Sequence, residues 1–500
     1  MKSQKAYSSI VYDVAVKTPL ETARTLSDQL GFKVLLKRED LQPVHSFKLR
    51  GAYNKISQLD SAQKAKGVIA ASAGNHAQGV ALSAQKLGIS ALIVMPKTTP
   101  SIKVDAVKSF GAEVVLEGDN YSEAYEHCQK LMKTEGRVFV HPFDDPLVIA
   151  GQGTIAQEIL YQNSDVTHIM VPVGGGGLIA GIAEYVKSVR PEVEIIGVEP
   201  VDSAAMHDSL RHGERVVLDH VGIFADGVAV KQVGELTYAI AKKHVNKVVT
   251  VDNDHICAAI KSIFLETRSI VEPAGALSVA GTQLLASQKA LPKDSVVVAI
   301  CSGANMSFER LQFIAERTLL GDGQEALFAV RLPEVAGALS KFCTSVVDGF
   351  AITEFNYRLH SRTEAYIFVG IGIKSDKDKK AFIARLNDRD YAYQDLSLDD
   401  LAKEHVRHMI GGVSDKVHNE ALYEVLIPER PKALSDFLDK LGGQWNISLF
   451  HYRGQGGDQG SVLIGFEAHD VTKLEASLAK TGYEFQSADS KALELFIQPT

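Results

Sequence analysis

The chain is poor in cysteine and carries no excess of basic residues. Its four cysteines lie far apart and form no CxxC pair, so the sequence favours neither a disulfide framework nor a zinc site, and we expect no bound metal. The formal net charge of −8 gives no electrostatic basis for binding nucleic acid or an anionic membrane. This cysteine usage is typical of a reducing compartment, and we expect a cytoplasmic protein.

Long apolar runs are also missing. The most apolar stretch, residues 169–186 (IMVPVGGGGLIAGIAEYV), contains four consecutive glycines and Glu184, which argue against a membrane-spanning helix. Residues 1–13 lack the apolar core of a signal peptide. What remains is a chain of 500 residues with the composition of a globular protein, long enough for two to four domains.

The first 320 residues alternate between short apolar runs and helix-like segments. Two helix-like segments, residues 75–88 and 121–136, end in glycine, as expected at a helix C-cap. The apolar runs are typical of strands buried on both faces: residues 67–72, 90–96, 112–118, 167–173 and 193–200. This alternation predicts an α/β fold with parallel sheets, in which ligands bind at the carboxyl ends of strands.

Three predicted strands run directly into unusual motifs. Residues 67–72 lead into AGNHAQG, residues 167–173 into four glycines, and residues 295–301 into SGAN. The glycines precede a predicted helix start, where free backbone N–H groups favour an anion such as a cofactor phosphate. A flexible loop is the alternative interpretation. The sequence here has neither the GxGxxG nor the GK[ST] pattern, so it indicates neither NAD nor ATP.

Four motifs on this scaffold occur in the order of a known enzyme family. SFKLRGA (46–52), SAGNHAQG (72–79), GGGGL (174–178) and CSGAN (301–305) together resemble the serine/threonine dehydratases, in the tryptophan synthase β-like group of pyridoxal-phosphate enzymes. The resemblance covers roughly residues 5–320 and implies a two-lobed open-sheet fold with pyridoxal 5'-phosphate as cofactor. It also implies that Lys48 is the catalytic lysine that binds the cofactor covalently. A lysine amine reacts with an aldehyde only when neutral, so its pKa must be lowered, and apolar neighbours favour this by desolvation.

The resemblance assigns further residues through their motif positions. The implied cofactor contacts are Phe47, Lys48, Asn75, Gly174, Gly175, Gly176, Gly177, Leu178 and Ser302. The implied substrate contacts, in a loop whose N–H groups receive the carboxylate, are Ser72, Ala73, Gly74, Asn75 and His76. Asn75 as a helix N-cap and His76 as a structural residue are open alternatives. Cys301 is interpreted as a small buried residue rather than a nucleophile.

Two positions bear on the type of reaction. In the family, position 302 faces the pyridine nitrogen, and Ser302, unlike a carboxylate, does not keep that nitrogen protonated, which favours β-elimination over transamination. A related racemase has a serine where this chain has Ala73, so we expect the L-isomer as substrate and negligible racemisation. The implied steps are removal of the Cα proton by Lys48, departure of the β-hydroxyl with a proton from the cofactor phosphate, and hydrolysis to a 2-oxo acid and ammonia.

The C-terminal part contains an internal repeat. Three blocks recur at a constant offset of 95 residues: 326–342 with 421–437, 352–359 with 447–454, and 367–373 with 462–468. Each unit has the order strand, proline turn, helix, strand, strand, helix, and resembles the α+β ACT-like module that binds amino acids in regulated biosynthetic enzymes. We expect a catalytic domain at 1–320, regulatory module 1 at 326–410 and regulatory module 2 at 421–500.

The combination of the catalytic motifs with two ACT-like modules resembles the biosynthetic threonine dehydratases. It implies conversion of L-threonine to 2-oxobutanoate and ammonia at the first committed step of isoleucine biosynthesis, with L-serine as a second substrate. It further implies inhibition by isoleucine, opposition of that inhibition by valine, and a homotetramer. The alternatives are a fold-related threonine synthase or cysteine synthase, and a catalytically inactive amino-acid sensor.

Each repeat has an aromatic pair at the same position: Phe355 and Tyr357 in the first, Phe450 and Tyr452 in the second. These residues are candidate walls for a branched aliphatic effector, and packing inside the module is the alternative. The turn after the first strand offers N–H groups in module 1, whereas module 2 has Pro431 there, which lacks an N–H. We therefore expect module 1 to be the better isoleucine site.

Overall fold

The computed structural model describes residues 9–333, 338–357, 364–408, 419–428, 433–441, 445–454 and 459–496. The chain divides into two compact units, the first ending at Phe308 and the second beginning at Glu309. Among the described residues, every helix is too short or too polar to cross a membrane.

The first unit contains two sheets. Its ten strands are β1 (Leu20–Thr22), β2 (Lys33–Arg38), β3 (Val68–Ala71), β4 (Ala91–Met95), β5 (Glu113–Leu116), β6 (Val138–Phe139), β7 (His168–Pro172), β8 (Glu194–Pro200), β9 (Lys247–Val251) and β10 (Val296–Cys301). One sheet has the order β1-β2-β10-β7-β8-β9 and the other β5-β4-β3-β6. Neighbouring strands are parallel except for β1 and β2. The predicted two-lobed, mainly parallel α/β architecture is therefore confirmed.

Helices surround both sheets. They are α1 (Arg24–Leu30), α2 (Lys48–Ser57), α3 (Ser61–Lys66), α4 (Asn75–Leu87), α5 (Ser101–Ser109), α6 (Tyr121–Glu135), α7 (Pro146–Gln162), α8 (Gly177–Val189), α9 (Ala205–His212), α10 (Glu235–His244), α11 (Asn253–Thr267) and α12 (Pro273–Ser287). The two predicted helices correspond to α4 and α6, which end at Gly88 and Gly136 in the left-handed conformation that glycine adopts readily.

Each sheet has its own hydrophobic core. The six-stranded sheet packs against α7 and α8 through aliphatic side chains such as Ile169 and Ile182. The four-stranded sheet packs against α2 and α4 through residues such as Ile93 and Val80. The predicted burial of the strands on both faces is correct for β3, β4, β7 and β8. It is wrong for β5, which is only partly buried because it lies at the edge of its sheet.

The second unit begins with a helix and continues as two α+β repeats. Its helices are α13 (Arg310–Gly321), α14 (Ala338–Phe342), α15 (Asp376–Asn387), α16 (Asp400–Glu404), α17 (Ala433–Leu441), α18 (Val471–Thr481) and α19 (Lys491–Phe496). Its strands are β11 (Glu325–Pro333), β12 (Ala351–Tyr357), β13 (Glu364–Gly372), β14 (Tyr393–Asp395), β15 (Glu420–Pro428), β16 (Asn446–Gly454), β17 (Gln459–Glu467) and β18 (Phe485–Ser487).

The two repeats have the same antiparallel sheet. The strand orders are β12-β13-β11-β14 and β16-β17-β15-β18, so equivalent strands occupy equivalent positions. Phe328 pairs with Val369 in the first sheet, and Tyr423 pairs with Ile464 in the second, 95 residues further along in both strands. The register shift after Ile352 recurs after Ile447. The offset read from the sequence is therefore also the offset of the hydrogen-bond register.

Candidate active site

A cavity of about 440 Å³, including its opening to solvent, lies at the carboxyl ends of β7 and β10 in the first unit. Its lining residues are Phe47, Lys48, Asn75, Phe143, Pro172, Gly174, Gly175, Gly176, Gly177, Leu178, Gly227, Val228, Glu272, Ala274 and Ser302. All nine residues predicted to contact a cofactor are in this set. The structure thus brings together motifs that are up to 255 residues apart in sequence, from Phe47 to Ser302.

Lys48 is the first residue of α2, and its side chain reaches the cavity. Its Nζ donates a hydrogen bond to the carbonyl oxygen of Pro142 at 3.3 Å and lies 5.3 Å from the centre of the Phe47 ring. Burial of the amine lowers the pKa of Lys48 to about 8, although the negative charge of Glu272 acts in the opposite direction. Near neutral pH the Lys48 amine is therefore neutral in a larger fraction of molecules than the amine of an exposed lysine.

A buried ion-pair network anchors α2 through Arg50, two residues after this lysine. Arg50 is fully buried and forms ion pairs with Glu39 at 2.8 Å and with Glu158 at 2.7 Å. Glu158 also pairs with Lys37 at 2.6 Å. Because each buried charge has a partner of opposite sign, the network holds the start of α2 in place without leaving an uncompensated charge.

The glycine loop follows β7 and leads into the first turn of α8. Gly176 has φ +91°, which favours glycine, and a Cβ at Gly175 would lie 2.3 Å from a ring carbon of Phe143. Thr237 anchors the loop by donating a hydrogen bond to the carbonyl oxygen of Gly175 at 2.7 Å. The loop therefore lines the cavity with backbone, and the N–H groups in the first turn of α8 have no acceptor within the helix.

Asn75 does not cap the helix that it begins. The N-cap of α4 is Gly74, and no side chain caps this helix. The Asn75 Nδ2 donates instead to Glu272 Oε1 at 2.6 Å, and its Oδ1 accepts from Asn305 Nδ2 at 2.6 Å. The N-cap interpretation of Asn75 is wrong because both ends of its carboxamide are engaged across the cavity wall.

The other predicted substrate residues lie beside the cavity rather than among its lining residues. Ser72, Ala73 and Gly74 form the loop between β3 and α4, where the Ser72 Oγ accepts from the Gly74 N–H at 3.3 Å. His76 is buried, with its Nε2 2.8 Å from the carbonyl oxygen of Val140. Burial, together with the charge of Lys48, lowers the pKa of His76 to about 3, so the ring is neutral. This geometry favours the structural alternative for His76.

Two residues at the end of β10 have contrasting surroundings. Ser302 faces the cavity, and its hydroxyl donates to the carbonyl oxygen of Ala274 at 3.3 Å. Cys301 is fully buried, and burial raises the pKa of its thiol. A buried thiol with a raised pKa is a poor nucleophile, which agrees with the interpretation of Cys301 as a small buried residue.

Sequence reasoning missed Glu272, the carboxylate in the cavity wall. Burial and the nearby charge of Asp226 raise the pKa of Glu272 to about 7. The only sequence signal is indirect: Pro273 is the first residue of α12, so Glu272 occupies a helix start like Asn75 and Gly177. Five other lining residues were missed as well, since none lies in one of the four motifs: Phe143, Pro172, Gly227, Val228 and Ala274.

The candidate effector residues are only partly described. Phe355 is partly buried and packs against the core of the first repeat. Phe450, at the equivalent position of the second repeat, is 39% exposed. The side chains of Tyr357 and Tyr452 lie outside the described residues, as do the turns at 334–337 and 429–432, which include Pro431. The choice of module 1 as the better isoleucine site stays a prediction.

Comparison with known proteins gives matches over nearly the whole chain. Residues 11–303 match the family described as pyridoxal-phosphate dependent enzyme, and residues 316–406 and 411–497 match the C-terminal regulatory domain of threonine dehydratase. The chain is 50% identical to the biosynthetic L-threonine dehydratase of Burkholderia multivorans, over 99% of this chain and 98% of the relative. It is 47% identical to that of Escherichia coli, over 95% of this chain and 92% of the relative.

Solved structures match somewhat more than three fifths of the chain. The processed form of threonine deaminase isoform 2 from Solanum lycopersicum is 51% identical with a TM-score of 0.60, and the match covers 61% of this chain and 89% of that chain. Maize serine racemase is 31% identical with a TM-score of 0.59, and the match covers 63% and 95% of the two chains.

Proposed function

The chain belongs to the pyridoxal-phosphate dependent enzymes that carry the C-terminal regulatory domain of threonine dehydratase, and from this premise we propose that it is an L-threonine ammonia-lyase. It releases 2-oxobutanoate and ammonia from L-threonine, the first committed step of isoleucine biosynthesis, and also acts on L-serine. The observation that carries the proposal is the cavity in which a buried lysine amine with a lowered pKa shares one wall with a glycine loop.

The residues around the cavity fit pyridoxal phosphate. A Cβ at Gly174 would lie 2.8 Å from the Val228 backbone, and one at Gly177 would lie 2.9 Å from Phe143, so these positions admit only backbone. Backbone N–H groups at the start of a helix are a suitable site for a phosphate group. The Lys48 amine, the Asn75 carboxamide and the Ser302 hydroxyl line the same space and would hold the remaining polar atoms of the cofactor.

When bound, pyridoxal phosphate supplies an electron-withdrawing ring that acidifies the Cα proton of an amino acid. The Lys48 Nζ, neutral in part at physiological pH, accepts that proton as general base. The loop of Ser72, Ala73 and Gly74 receives the substrate carboxylate through N–H groups, and the Gly74 N–H would exchange the Ser72 Oγ for the carboxylate. Ser302 has no formal charge, so it would not keep the pyridine nitrogen of the cofactor protonated. This favours loss of the β-hydroxyl over transamination.

We further propose that the second unit carries the regulatory sites. Isoleucine binds to a module there and inhibits the enzyme, valine opposes the inhibition, and the effectors act by binding the low- and high-activity states with different affinities. Phe355, Tyr357, Phe450 and Tyr452 are the candidate contacts. The predicted homotetramer, the cytoplasmic location and the domain boundaries at 1–320, 326–410 and 421–500 belong to the same proposal.

The alternatives are less well supported. Threonine synthase and cysteine synthase do not explain the two C-terminal repeats, and the biosynthetic dehydratases match this chain over nearly their whole length. An inactive sensor does not need a lysine amine with a lowered pKa beside an intact glycine loop.

The proposal is tested by measuring 2-oxo acid release from L-threonine and from L-serine, each with and without isoleucine. We expect release from both substrates, with isoleucine inhibiting the reaction of L-threonine. Lys48→Ala serves as the control: it should remain folded and lose at least the ~10²–10⁴-fold that a general base contributes. Near-normal turnover by Lys48→Ala, or no 2-oxo acid from the intact enzyme, contradicts the proposal.

A further inference from the structure

The Asn75 carboxamide is held from both sides by residues that come from the other lobe. Its Nδ2 donates to Glu272 Oε1 at 2.6 Å, and its Oδ1 accepts from Asn305 Nδ2 at 2.6 Å. Both partners lie close to β10 and α12, whereas Asn75 begins α4. Within the described part of the chain, the second Nδ2 hydrogen of Asn75 has no hydrogen-bond partner.

The direction of these hydrogen bonds fixes the orientation of the carboxamide. Asn305 Nδ2 also donates to the carbonyl oxygen of Val44 at 2.8 Å, so Asn305 must present its amino group to Asn75. A flipped Asn75 would place its amino group against that donor and its oxygen against the Glu272 carboxylate. Since both contacts would be repulsive, only one orientation is compatible with the network.

Glu272 is a buried residue whose carboxylate accepts the hydrogen bond from Asn75. Its side chain is 4% exposed and does not cap α12, although Glu272 is the N-cap residue of that helix. A Cβ at Gly303 would lie 2.6 Å from Glu272 Oε1, which explains the glycine in the CSGAN motif. A buried carboxylate is unfavourable unless it is compensated, so a carboxylate kept beside the cavity indicates a functional role.

We propose that Glu272 and Asn305 are positioning residues that clamp the Asn75 carboxamide and thereby present its remaining N–H to the cofactor. The inference rests on the proposed function, in which Asn75 contacts pyridoxal phosphate. It goes further because Glu272 and Asn305 act through Asn75, and it gives a role to the asparagine of the CSGAN motif.

The clamp depends on the ionisation of Glu272. Its carboxylate is faced by Asp226, whose charge raises its pKa, by Lys103, whose charge lowers it, and by the Lys48 amine. Asn75 and the backbone N–H of Asn305 donate hydrogen bonds to it. The pKa of Glu272 is raised to about 7, so below that pH the acceptor becomes neutral and its hydrogen bond to Asn75 weakens.

A double-mutant cycle on the full-length enzyme tests the clamp. Asn75→Ala, Glu272→Ala, Asn305→Ala and the two double variants with Asn75→Ala are prepared without cofactor. The dissociation constant of pyridoxal phosphate and the position of its absorbance band are then measured for each. We expect about tenfold weaker binding and a shifted band for each single variant, and no further loss when Asn75→Ala is combined with either partner.

Two further variants separate positioning from general loss of structure. Ser278→Ala, in the same helix as Glu272, removes the buried hydrogen bond from Ser278 to the Ile300 carbonyl and should leave cofactor affinity unchanged. Glu272→Gln keeps an acceptor oxygen for Asn75. The dissociation constant of the cofactor for this variant should lie within about threefold of the wild-type value. The affinity of the wild type should decrease below pH 7, whereas that of Glu272→Gln should not.

The outcomes distinguish the clamp from the proposed function. The clamp is wrong if Glu272→Ala and Asn305→Ala have the same cofactor dissociation constant and absorbance band as the wild type. It is also wrong if their effects on cofactor affinity add fully to the effect of Asn75→Ala. If Asn75→Ala itself changes neither affinity nor absorbance, then Asn75 does not contact the cofactor, and that part of the proposed function fails together with the clamp. If Glu272→Ala does not fold, Glu272→Gln and Asn305→Ala complete the test.

Discussion

The rate at which the Lys48 amine reacts with the cofactor aldehyde should level off at a lower pH than the rate for a solvent-exposed lysine. Burial lowers the pKa of its amine from 10.5 to about 8. Only the neutral amine attacks an aldehyde, so the rate at which cofactor-free protein captures pyridoxal phosphate covalently follows the neutral fraction. We expect this rate to rise about tenfold per pH unit below pH 8 and to level off above it.

The magnitude follows from the two pKa values. At pH 7 an amine with a pKa of about 8 is roughly 9% neutral, whereas one with a pKa of 10.5 is about 0.03% neutral. The ratio is about 300-fold in favour of Lys48. The charge of Glu272 raises the pKa of Lys48, so Glu272→Gln, which removes that charge, should move the midpoint to lower pH.

The assay mixes cofactor-free protein with pyridoxal phosphate between pH 6.5 and 10 and follows absorbance. Borohydride reduction and peptide mapping then identify the modified lysine. Free N-acetyl-lysine amide, treated in parallel, corrects for ionisation of the cofactor itself, and Lys48→Ala should lose the modified peptide. A capture rate that keeps rising above pH 9, or a midpoint that moves upward in Glu272→Gln, would refute the desolvation argument.

Three further predictions concern the loop, the reaction and its control. Gly175→Ala should destabilise the protein by about 1–3 kcal/mol and weaken cofactor binding, and adding Phe143→Ala should restore part of both, as measured by denaturant unfolding and cofactor titration. Ser302→Asp should raise the ratio of transamination to elimination in the folded, cofactor-loaded enzyme, and an unchanged product ratio contradicts the role of Ser302. Phe355→Ala should lose isoleucine inhibition while Phe450→Ala keeps it, and the reverse result moves the effector site to the second module.

Some residues could be predicted from the sequence because the local backbone conformation requires that residue type. Gly176 adopts a positive φ at a strand-to-helix turn, and Gly88 ends a helix in the left-handed conformation, so both positions leave a glycine signal in the sequence. No glycine stands in the turn before Lys48, which is formed by His45, Ser46 and Phe47, so Lys48 was predicted from the resemblance of the SFKLRGA motif to the dehydratases. The nine cavity residues named from the sequence all lie in the four motifs that carry this resemblance.

Contacts between distant segments were not open to the same reasoning. Glu272 lies 197 residues from Asn75, and nothing in either local sequence shows that the two meet at 2.6 Å. The same limit applies to β5, whose short run of apolar residues resembles that of a strand buried on both faces. Its position at the edge of the sheet is decided by the order in which the strands pair, which the run of residues 112–118 does not encode.

The two repeats of the second unit have the same backbone architecture but differ in the exposure of equivalent side chains. The repeats share their sheet order, their register and the position of their bulge, because these depend on strand length and hydrophobic pattern, which the duplication copied. The exposure of the equivalent phenylalanines differs: Phe355 is partly buried and packs against the core of its repeat, whereas Phe450 is 39% exposed. An effector site depends on such side chains rather than on the register. The paired variants at positions 355 and 450 therefore measure directly how far the two copies have diverged in function.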